Sequence, residues 1–244
     1  MKEYKLNVNG HMIDAQFDEE NIQNIFIPLL QKWTTLQKEK QERILVLLAA
    51  PPGCGKTTTS LFLEFLSHQI NGLTPIQAIG MDGFHQYQDY LESHYIKRNE
   101  QMILMKEVKG CPETFNVNKL IEKIKETKTD DTFWPLYNRS IHDPQENLVY
   151  IDAKIVLIEG NYLLLDEEPW CQIHQLFDDT IFIEADSDEL KKRLISRKMR
   201  GGTPYHLASQ FYFNSDGVNV ERVLKHSLKA HHHFIMKNNK LIVK

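Results

Sequence analysis

The chain has 244 residues, of which 41% are hydrophobic, 10% aromatic and 25% charged, close to the averages for a globular domain. This length fits one domain that carries at most an added element. The 29 Lys and Arg against 33 Asp and Glu give a formal net charge of -4, which argues against nucleic acid or an anionic lipid surface as the partner.

The cysteines and the apolar runs exclude further classes of protein. Cys54, Cys111 and Cys171 show no CxxC spacing, which argues against a disulfide framework or a thiolate zinc site and favours a reducing, cytoplasmic setting. The N-terminal segment is mixed and polar, unlike a secretory signal. The longest strongly apolar run, residues 44–50, is too short to cross a bilayer, so we expect no membrane association.

The first 43 residues look like an addition to a larger unit. Residues 4–17 alternate loosely around Asn9-Gly10, a dipeptide favoured in tight turns, which predicts a small hairpin. Apolar residues in 19–43 recur at steps of three and four, which predicts an amphipathic helix that is broken near Pro28. We therefore expect a hairpin and helix extension before the main domain of residues 44–244.

From residue 44 onwards, short aliphatic runs alternate with helical patterns. Strands are predicted at 44–49, 76–81, 154–158, 180–185 and 240–243. Helices are predicted at 56–70, 99–107, 116–127, 187–200, 204–213 and 218–230. This alternation predicts an α/β fold in which helices cover both faces of a mostly parallel sheet.

Residues 50–57, APPGCGKT, fit the phosphate-loop pattern, except that Ala50 replaces the usual first glycine. The segment follows a predicted buried strand and opens a predicted helix, which is the context that the motif requires. Backbone N–H groups and the helix N-terminus can then wrap phosphate oxygens, while Lys56 reaches the β- and γ-phosphates and the Thr57 hydroxyl holds Mg²⁺. The predicted nucleotide-binding residues are Pro52, Gly53, Cys54, Gly55, Lys56, Thr57 and Thr58.

A phosphate loop alone does not separate a kinase from a GTPase, a motor or a regulatory switch. Asp82 ends the second predicted strand, and Glu159 ends the third, on the edge where ligands collect in open α/β sheets. Asp82 is the candidate base for an acceptor hydroxyl, and Glu159 is the candidate Mg²⁺ ligand. The alternative for each is a structural cap or a salt-bridge partner.

Three further side chains are candidates for binding the acceptor. Arg139 and His142 place a cation and a titratable ring within four residues, which suits an anionic or hydroxyl-rich acceptor. A solvated loop is the alternative for this pair. His85 faces the acceptor or merely fills a surface turn.

Residues 188–200 form a basic helical pattern in which Arg193, Arg197 and Arg200 share one side, and Gly201-Gly202 follows as a plausible hinge. This pattern predicts a lid near residues 193–217 that closes on a triphosphate, and a solvent-exposed face is the alternative. Residues 231–233 are three adjacent histidines without a completing ligand, so we interpret them as a polar helix end rather than a zinc site.

The chain resembles the phosphoribulokinase, uridine kinase and bacterial-type pantothenate kinase family of P-loop kinases. The phosphate loop, Asp82-Gly83-Phe84, residues 135–143 and Ile158-Glu159-Gly160 occur in the family's order, so the resemblance runs from residue 44 to the C-terminus. Several longer segments resemble a subgroup described as nucleoside or nucleotide kinase-like, some members of which resemble sugar-uptake kinases. These segments are APPGCGKTT, MDGFH, KGCPETF, YNRSIHDP, IEGNYLLLDEEPW and the lid region with Gly201-Gly202.

The resemblance implies the fold of P-loop nucleotide hydrolases, ATP as the phosphoryl donor, Asp82 as the catalytic base, and Thr57 and Glu159 as Mg²⁺ residues. It favours Arg197 and Arg200 over Arg193 as catalytic lid arginines. The separation between Tyr137 and His142 is that of the acceptor-binding segment of uridine kinases, and Asn161 joins the candidate acceptor residues. Gly83, however, looks like the pantothenate kinase version, and Asn219 matches a subgroup residue whose role is open. The candidate acceptor-binding residues are His85, Tyr137, Arg139, His142 and Asn161.

We therefore predict a Mg²⁺-ATP-dependent kinase that phosphorylates a hydroxyl of a small metabolite. Nucleoside, pantothenate-like and sugar acceptors all stay open. The rival is a nucleotide-binding regulator that has the phosphate loop but performs no transfer. A nucleic-acid end kinase is disfavoured by the net acidity and the lack of a basic aromatic stripe. The oligomeric state cannot be read from the sequence, and a homodimer stays open.

Overall fold

The computed structural model describes residues 1–8, 11–98 and 100–244. Strands β1 (Lys2–Val8) and β2 (His11–Phe17) pair antiparallel, with Lys2 opposite Phe17, which confirms the predicted N-terminal hairpin. The turn predicted at Asn9-Gly10 lies outside the described residues. None of the helices in the described ranges is long and apolar enough to span a membrane.

The helix that follows the hairpin is continuous, so the break predicted near Pro28 is wrong. Helix α1 (Glu19–Asn21) runs through a π-helical turn, Ile22–Phe26, into α2 (Ile27–Lys40). Pro28 lies in the first turn of α2, and the wider π-turn before it accommodates a residue that has no N–H to donate. The chain leaves α2 at Gln41, whose left-handed φ of 55° ends the helix.

The remaining helices are α3 (Lys56–Gln69), α4 (Gln88–Ser93), α5 (Val117–Thr129), α6 (Ser187–Arg200), α7 (Tyr205–Phe211) and α8 (Gly217–Lys225). The remaining strands are β3 (Ile44–Ala49), β4 (Ile76–Gly80), β5 (Tyr95–Arg98), β6 (Gln101–Leu104), β7 (Thr132–Asn138), β8 (Asp143–Ile151), β9 (Ile155–Gly160), β10 (Asp179–Ala185), β11 (His232–Lys237) and β12 (Lys240–Val243).

The central sheet has the strand order β12-β11-β10-β3-β9-β4. All neighbouring strands are parallel except β12, which pairs antiparallel with β11. Strand β3 lies in the middle, and each of its side chains is buried, as its aliphatic sequence predicts for a strand covered on both faces. The sheet confirms the predicted α/β class, and it brings the carboxyl ends of β3, β9 and β4 side by side.

The side chains of β3 alternate between two apolar layers, so helices cover both faces of the sheet. Val46 and Leu48 belong to one layer, in which α2 and α3 pack, whereas Leu45 and Leu47 belong to the other, in which α5 packs. The N-terminal hairpin joins the first layer through Phe17, whose ring stacks on that of Phe62 with centroids 3.6 Å apart. Residues 1–43 therefore share a core with the sheet rather than standing apart from it.

Two predicted helices are wrong in part or in whole. The stretch 99–107 contains β6 and the start of a 3-10 turn, Met105–Val108, and its first residue lies outside the described ranges. Helix α8 ends at Lys225 rather than at residue 230. The chain between α5 and β9 forms a long antiparallel hairpin of β7 and β8. The sequence did not predict it, because most of its exposed residues are apolar and the alternation of polar and apolar residues is lost.

The three adjacent histidines lead into strand β11 and are not a helix end. His231 Nδ1 lies 2.9 Å from Asp179 Oδ1, and His232 Nε2 lies 3.1 Å from Asp179 Oδ2. The same buried carboxylate accepts hydrogen bonds from Trp33 Nε1 at 2.7 Å and from Lys32 Nζ at 2.9 Å. Asp179 thus ties α2 to the start of β10 and β11, and these donors lower its pKa despite burial.

Candidate active site

The phosphate loop lies between the carboxyl end of β3 and the start of α3, as its sequence predicts. Gly53 and Gly55 have φ angles of 82° and 89°, a left-handed backbone that only glycine adopts at little cost. Ala50 is absent from the positive-φ positions of the described chain, so its methyl group strains nothing where most phosphate loops carry glycine. The loop therefore has the backbone needed to turn successive N–H groups inwards.

Cys54 is buried beside the loop, and its Sγ lies 3.6 Å from the carbonyl oxygen of Ile183. Burial raises the pKa of this thiol to about 12, although Lys56 acts in the opposite direction. A thiol that stays protonated is a poor nucleophile, so the geometry supports the interpretation of Cys54 as a small packing residue rather than a redox switch.

Two side chains meet directly at the start of α3. Thr57 Oγ1 donates a hydrogen bond to Glu159 Oε1 over 2.7 Å, because β9 is the neighbour of β3 and ends where the phosphate loop begins. Glu159 is buried, and desolvation raises its pKa, with nearby Asp82 adding to the effect while Lys56 and the Thr57 hydroxyl oppose it. A hydroxyl and a buried carboxylate thus share the space next to the Lys56 ammonium.

This pair fits a magnesium ion. Mg²⁺ prefers oxygen ligands and in nucleotide enzymes is held by one or two protein groups, water and the phosphates. Across residues 1–8, 11–98 and 100–244, His, Cys, Asp and Glu form no cluster of three that would hold a metal on its own. Thr57 and Glu159 would supply the protein oxygens, and the nucleotide would supply the others.

Asp82 lies in a 3-10 turn, Met81–Phe84, that starts directly after β4. Strand β4 pairs with β9, and a Cβ placed at Gly80 would lie 3.2 Å from Glu159 Oε1, so the end of β4 flanks the Glu159 carboxylate. The Asp82 side chain is exposed at this edge. A hydroxyl-bearing ligand would therefore reach Asp82 from solvent.

Gly83 shows why this turn needs glycine. A Cβ at this position would lie 2.1 Å from the carbonyl oxygen of Pro135 on β7, a backbone atom that cannot rotate away. Gly83 is also where the chain differs from the uridine kinase pattern. The packing of the β7–β8 hairpin against this turn explains why a glycine is needed there. Gly160 leaves no open space beside Glu159, because Met81 covers it and the Met81 Sδ would lie 2.3 Å from a Cβ added at Gly160.

The hairpin brings Tyr137 next to His85, with ring centroids 5.1 Å apart, and His85 also stacks on Phe115 at 3.9 Å. Burial lowers the pKa of His85 to about 4, although the Asp82 charge acts in the opposite direction. His85 Nδ1 is buried and has no hydrogen-bond partner among the described residues. A neutral imidazole with an unused polar atom thus lies beside Tyr137 and close enough to Asp82 to feel its charge.

Lys109 is a residue of this cluster that the sequence reasoning missed. Its Nζ lies 5.1 Å from the centroid of the Tyr137 ring and donates hydrogen bonds to the carbonyl oxygen of His142 at 2.7 Å and to Gln88 Oε1 at 3.1 Å. Burial lowers the pKa of the Lys109 ammonium. The segment KGCPETF, which begins with this lysine, was the signal available in the sequence.

The side chains of the other predicted acceptor residues do not join the contacts among His85, Tyr137 and Lys109. Arg139 and His142 are exposed in the turn between β7 and β8, and neither side chain makes a hydrogen bond or ion pair with the residues that the structure describes. Asn161 follows β9, and its buried Oδ1 lacks a hydrogen-bond partner within the described chain. Asn219 on α8 is buried and donates to the carbonyl oxygen of Gly110 at 3.4 Å, while its own Oδ1 stays unpartnered there.

Helix α6 passes the phosphate loop, since Leu194 Cγ would lie 3.0 Å from a Cβ placed at Gly53. Arg193 bonds to Glu189 and lies 3.2 Å from Asn239 Oδ1. Arg197 and Arg200 are exposed near the helix end, and neither guanidinium group forms a hydrogen bond or ion pair within the described ranges. Gly202, with φ of 90°, then breaks the helix before α7.

Comparison with known proteins identifies the group to which this site belongs. The model of the phosphoribulokinase / uridine kinase family matches residues 45–215. The chain is 43% identical to the uncharacterized protein YggC of Escherichia coli strain K12, over 93% of this chain and 92% of that protein. It is also 26% identical to a pantothenate kinase of Enterococcus faecalis, over 78% of this chain and 66% of that protein.

Two solved structures share the architecture. A protein from Silicibacter sp. TM1040, provisionally named a fructose transport system kinase, matches with a TM-score of 0.72 and 27% identity over 84% of this chain and 96% of that one. YFH7 from Saccharomyces cerevisiae matches with a TM-score of 0.68 and 18% identity over 87% and 99% of the two chains, a likeness of fold alone. From its family match and its fold, the chain belongs to the phosphoribulokinase / uridine kinase family of P-loop kinases.

Proposed function

We propose that the protein is a Mg²⁺-ATP-dependent kinase that transfers the γ-phosphoryl group to a hydroxyl of a small metabolite. The observation that carries this proposal is the hydrogen bond of 2.7 Å between Thr57 and Glu159 beside Lys56, with Asp82 at the end of the next strand. A regulator that only senses nucleotide has no need for an exposed carboxylate at that position.

Some residues of the site would bind the phosphoryl donor, and others would act on the acceptor hydroxyl. The loop amides and Lys56 hold the triphosphate, and Asp82 accepts the proton of the acceptor hydroxyl as its oxygen bonds to the γ-phosphorus. The bond between that phosphorus and the β–γ bridging oxygen breaks, and ADP leaves. Mg²⁺, when bound by Thr57 and Glu159, supplies positive charge for the phosphate oxygens. Catalysis then comes from alignment and electrostatics rather than a covalent enzyme intermediate.

Arg197 and Arg200 complete the proposed mechanism as lid residues. Their guanidinium groups have no ion-pair partner in the described part of the chain, so they are free to meet phosphate oxygens. Gly201-Gly202 supplies the hinge, and residues 193–217 move as the lid. Closure would neutralise charge on the migrating phosphoryl group and exclude water that competes with the acceptor.

The acceptor is a hydroxyl-bearing nucleoside, pantothenate-like molecule or sugar. Support comes from the pantothenate kinase and the provisional fructose transport kinase among the similar proteins. His85, Tyr137, Arg139, His142 and Asn161 are the proposed acceptor residues. We place the reaction in the cytoplasm, since Cys54, Cys111 and Cys171 are all free thiols, and we retain a homodimer as a proposal.

A screen of acceptors tests this function. Consumption of ATP is measured with nucleosides, sugars, sugar phosphates and vitamin precursors, with Lys56→Ala as the blank. We expect one acceptor class to give ADP and a phosphorylated product only with the wild type. Tight Mg²⁺-ATP binding without product across the panel would contradict the proposal and favour the nucleotide-binding regulator.

A further inference from the structure

The carbonyl oxygen of Gly110 is held by two side chains from distant parts of the chain. The Tyr162 hydroxyl donates a hydrogen bond to it over 2.5 Å, and Asn219 Nδ2 donates over 3.4 Å. Tyr162 follows the end of β9, three residues after Glu159, and Asn219 lies on α8. Gly110 is thus joined both to the carboxyl edge of the sheet and to the helix that follows the lid.

The ring and the hydroxyl of Tyr162 have different contacts. The ring is fully buried and packs edge to face on Phe115 and Trp170, with centroids 5.7 Å and 5.4 Å apart. Burial raises the pKa of Tyr162 well above its ordinary value of 10, so the hydroxyl keeps its proton and can act as a donor. A buried hydroxyl requires a hydrogen-bond partner, and its partner here is the Gly110 carbonyl.

Lys109, the neighbour of Gly110 in the chain, extends this connection to the β7–β8 hairpin. Its Nζ donates to the carbonyl oxygen of His142, in the turn of that hairpin, at 2.7 Å and lies 5.1 Å from the centroid of the Tyr137 ring. It also donates to Gln88 Oε1 on α4 at 3.1 Å. All three partners are neutral groups, so these contacts link Lys109 to the hairpin and to α4 rather than to a carboxylate.

The segment 109–116 is also bonded to the turn that carries Asp82. The Gln86 N–H donates to the carbonyl oxygen of Thr114, and the Asn116 N–H donates to that of Phe84, each over 2.8 Å. The segment therefore contacts the Asp82 turn at one end and, through Lys109, the hairpin turn at the other. A shift of this segment would change where the hairpin turn lies relative to Asp82.

We propose that Tyr162 is a positioning residue for the acceptor. By holding the Gly110 carbonyl it fixes Lys109, and Lys109 in turn fixes the β7–β8 turn relative to Asp82. This inference rests on the proposed function, because it assumes that side chains of that turn contact the acceptor. Tyr162 itself acts through Lys109 and touches no reacting atom.

Tyr162→Phe tests the proposal, because it keeps the packing of the ring and removes only the hydroxyl. The Gly110 carbonyl then retains only the longer contact with Asn219. We expect the KM for the acceptor to rise about tenfold, with the Kd for Mg²⁺-ATP unchanged. Tyr4→Phe removes the same atom from β1 of the N-terminal hairpin and should alter neither. An acceptor KM equal to that of the wild type in Tyr162→Phe would overturn the proposal.

A double-mutant cycle with Lys109→Met separates positioning from a general loss of packing. Lys109→Met keeps the aliphatic part of the side chain and removes the three donors of the ammonium group. If Tyr162 acts through Lys109, Tyr162→Phe should raise the acceptor KM by less than about twofold in the Lys109→Met background. A tenfold rise in both backgrounds would show that Tyr162 acts by another route and would overturn the proposal.

Hydrogen exchange tests the same connection without an acceptor. Tyr162→Phe should speed amide exchange at residues 109–111 and 138–143 and leave strand β9 unchanged. Wild-type exchange rates at 138–143, or faster exchange throughout β9 as well, would overturn this inference. Failure of the wild type to phosphorylate any acceptor would instead overturn the proposed function, and the exchange rates would still decide whether Tyr162 positions the hairpin turn.

Discussion

The proposed donor and acceptor sides of the site are built in different ways. On the donor side, Thr57 and Glu159 are held at the ends of adjacent buried strands and bond to each other at 2.7 Å. On the acceptor side, Asp82 is exposed, and Arg139 and His142 lie in the exposed turn of the β7–β8 hairpin. The sheet core fixes the first arrangement, whereas a hairpin outside that sheet provides much of the second.

This difference separates the groups that every P-loop kinase needs around the phosphates from the groups that select a particular acceptor. Sheet packing preorganises Thr57 and Glu159, the groups proposed to lie around the phosphates, before any ligand arrives, which suits a part of the reaction common to all P-loop kinases. The exposed side chains in the turn of the β7–β8 hairpin, Arg139 and His142, are free to change without disturbing the sheet, which suits the part that selects an acceptor. Substitutions on the two sides should therefore have separable effects.

The largest of these effects is expected at Glu159. Glu159→Gln keeps the size of the side chain and its hydrogen bond from Thr57 but removes the negative charge, so we expect kcat to fall about 1,000-fold and the Mg²⁺ requirement to rise. Steady-state rates across a magnesium titration measure both. Glu221→Gln, an exposed change on α8, is the control. An unchanged magnesium requirement would show that Glu159 does not hold the metal.

Gly83→Ala should have the next largest effect. Its Cβ would meet the carbonyl oxygen of Pro135 at 2.1 Å, so the β7–β8 hairpin must move away from the strand end. We expect kcat/KM for the acceptor to fall about 100-fold through misplaced contacts, while the Kd for Mg²⁺-ATP stays the same. A thermal melt checks folding. Equal losses for both ligands would contradict the separation of the two sides.

Tyr137→Phe should have a smaller effect that is confined to the acceptor. The Tyr137 ring lies beside His85, and loss of one hydroxyl contact should raise the acceptor KM about tenfold or less with kcat nearly unchanged. Tyr150→Phe removes the same atom from an exposed position of the same hairpin and is the matched control. A loss in kcat alone would place Tyr137 elsewhere in the mechanism.

Asp179→Asn should have the smallest effect on activity and a clear effect on stability. The ionised carboxylate accepts from Trp33 and Lys32, so the variant should lose about 2 kcal/mol of unfolding free energy at neutral pH. Because folding lowers the pKa of Asp179, its stabilisation is complete above the ordinary value of 3.8 and is lost as pH falls below it.

Denaturant unfolding between pH 6 and pH 3 measures this difference. The gap in stability between the wild type and Asp179→Asn should narrow as the pH drops through about 4 towards 3. Asp89→Asn, on the exposed side of α4, should have the same free energy of unfolding as the wild type at both pH 6 and pH 3. A gap that stays constant across the range would mean that the charge of Asp179 is not what stabilises the fold.

The sheet and the phosphate loop could be predicted from the sequence because their signals are local. The run 44–49 is aliphatic throughout, and Gly53 and Gly55 stand where the backbone must be left-handed. The end of β9 at Glu159 follows from the same kind of run. Parallel strands share one carboxyl edge, so local signals were enough to place Asp82 and Glu159 near each other.

The rest depends on contacts between distant residues. Lys109 lies near Tyr137 only because the chain folds back across the sheet edge, and no spacing rule predicts that contact. The histidines at 231–233 were assigned to a helix because residues 218–230 have a helical pattern, yet the strand pairing of β11 with β10 overrides it. The packing of the N-terminal hairpin on Phe62 is equally non-local.

The central claim is that Asp82 accepts the hydroxyl proton during phosphoryl transfer. With the acceptor identified by the screen, single-turnover transfer from γ-labelled ATP is compared between the wild type and Asp82→Asn at saturating Mg²⁺. We predict a rate about 1,000-fold lower in the variant, with the Kd for Mg²⁺-ATP unchanged. Transfer by Asp82→Asn at the wild-type rate would contradict the mechanism.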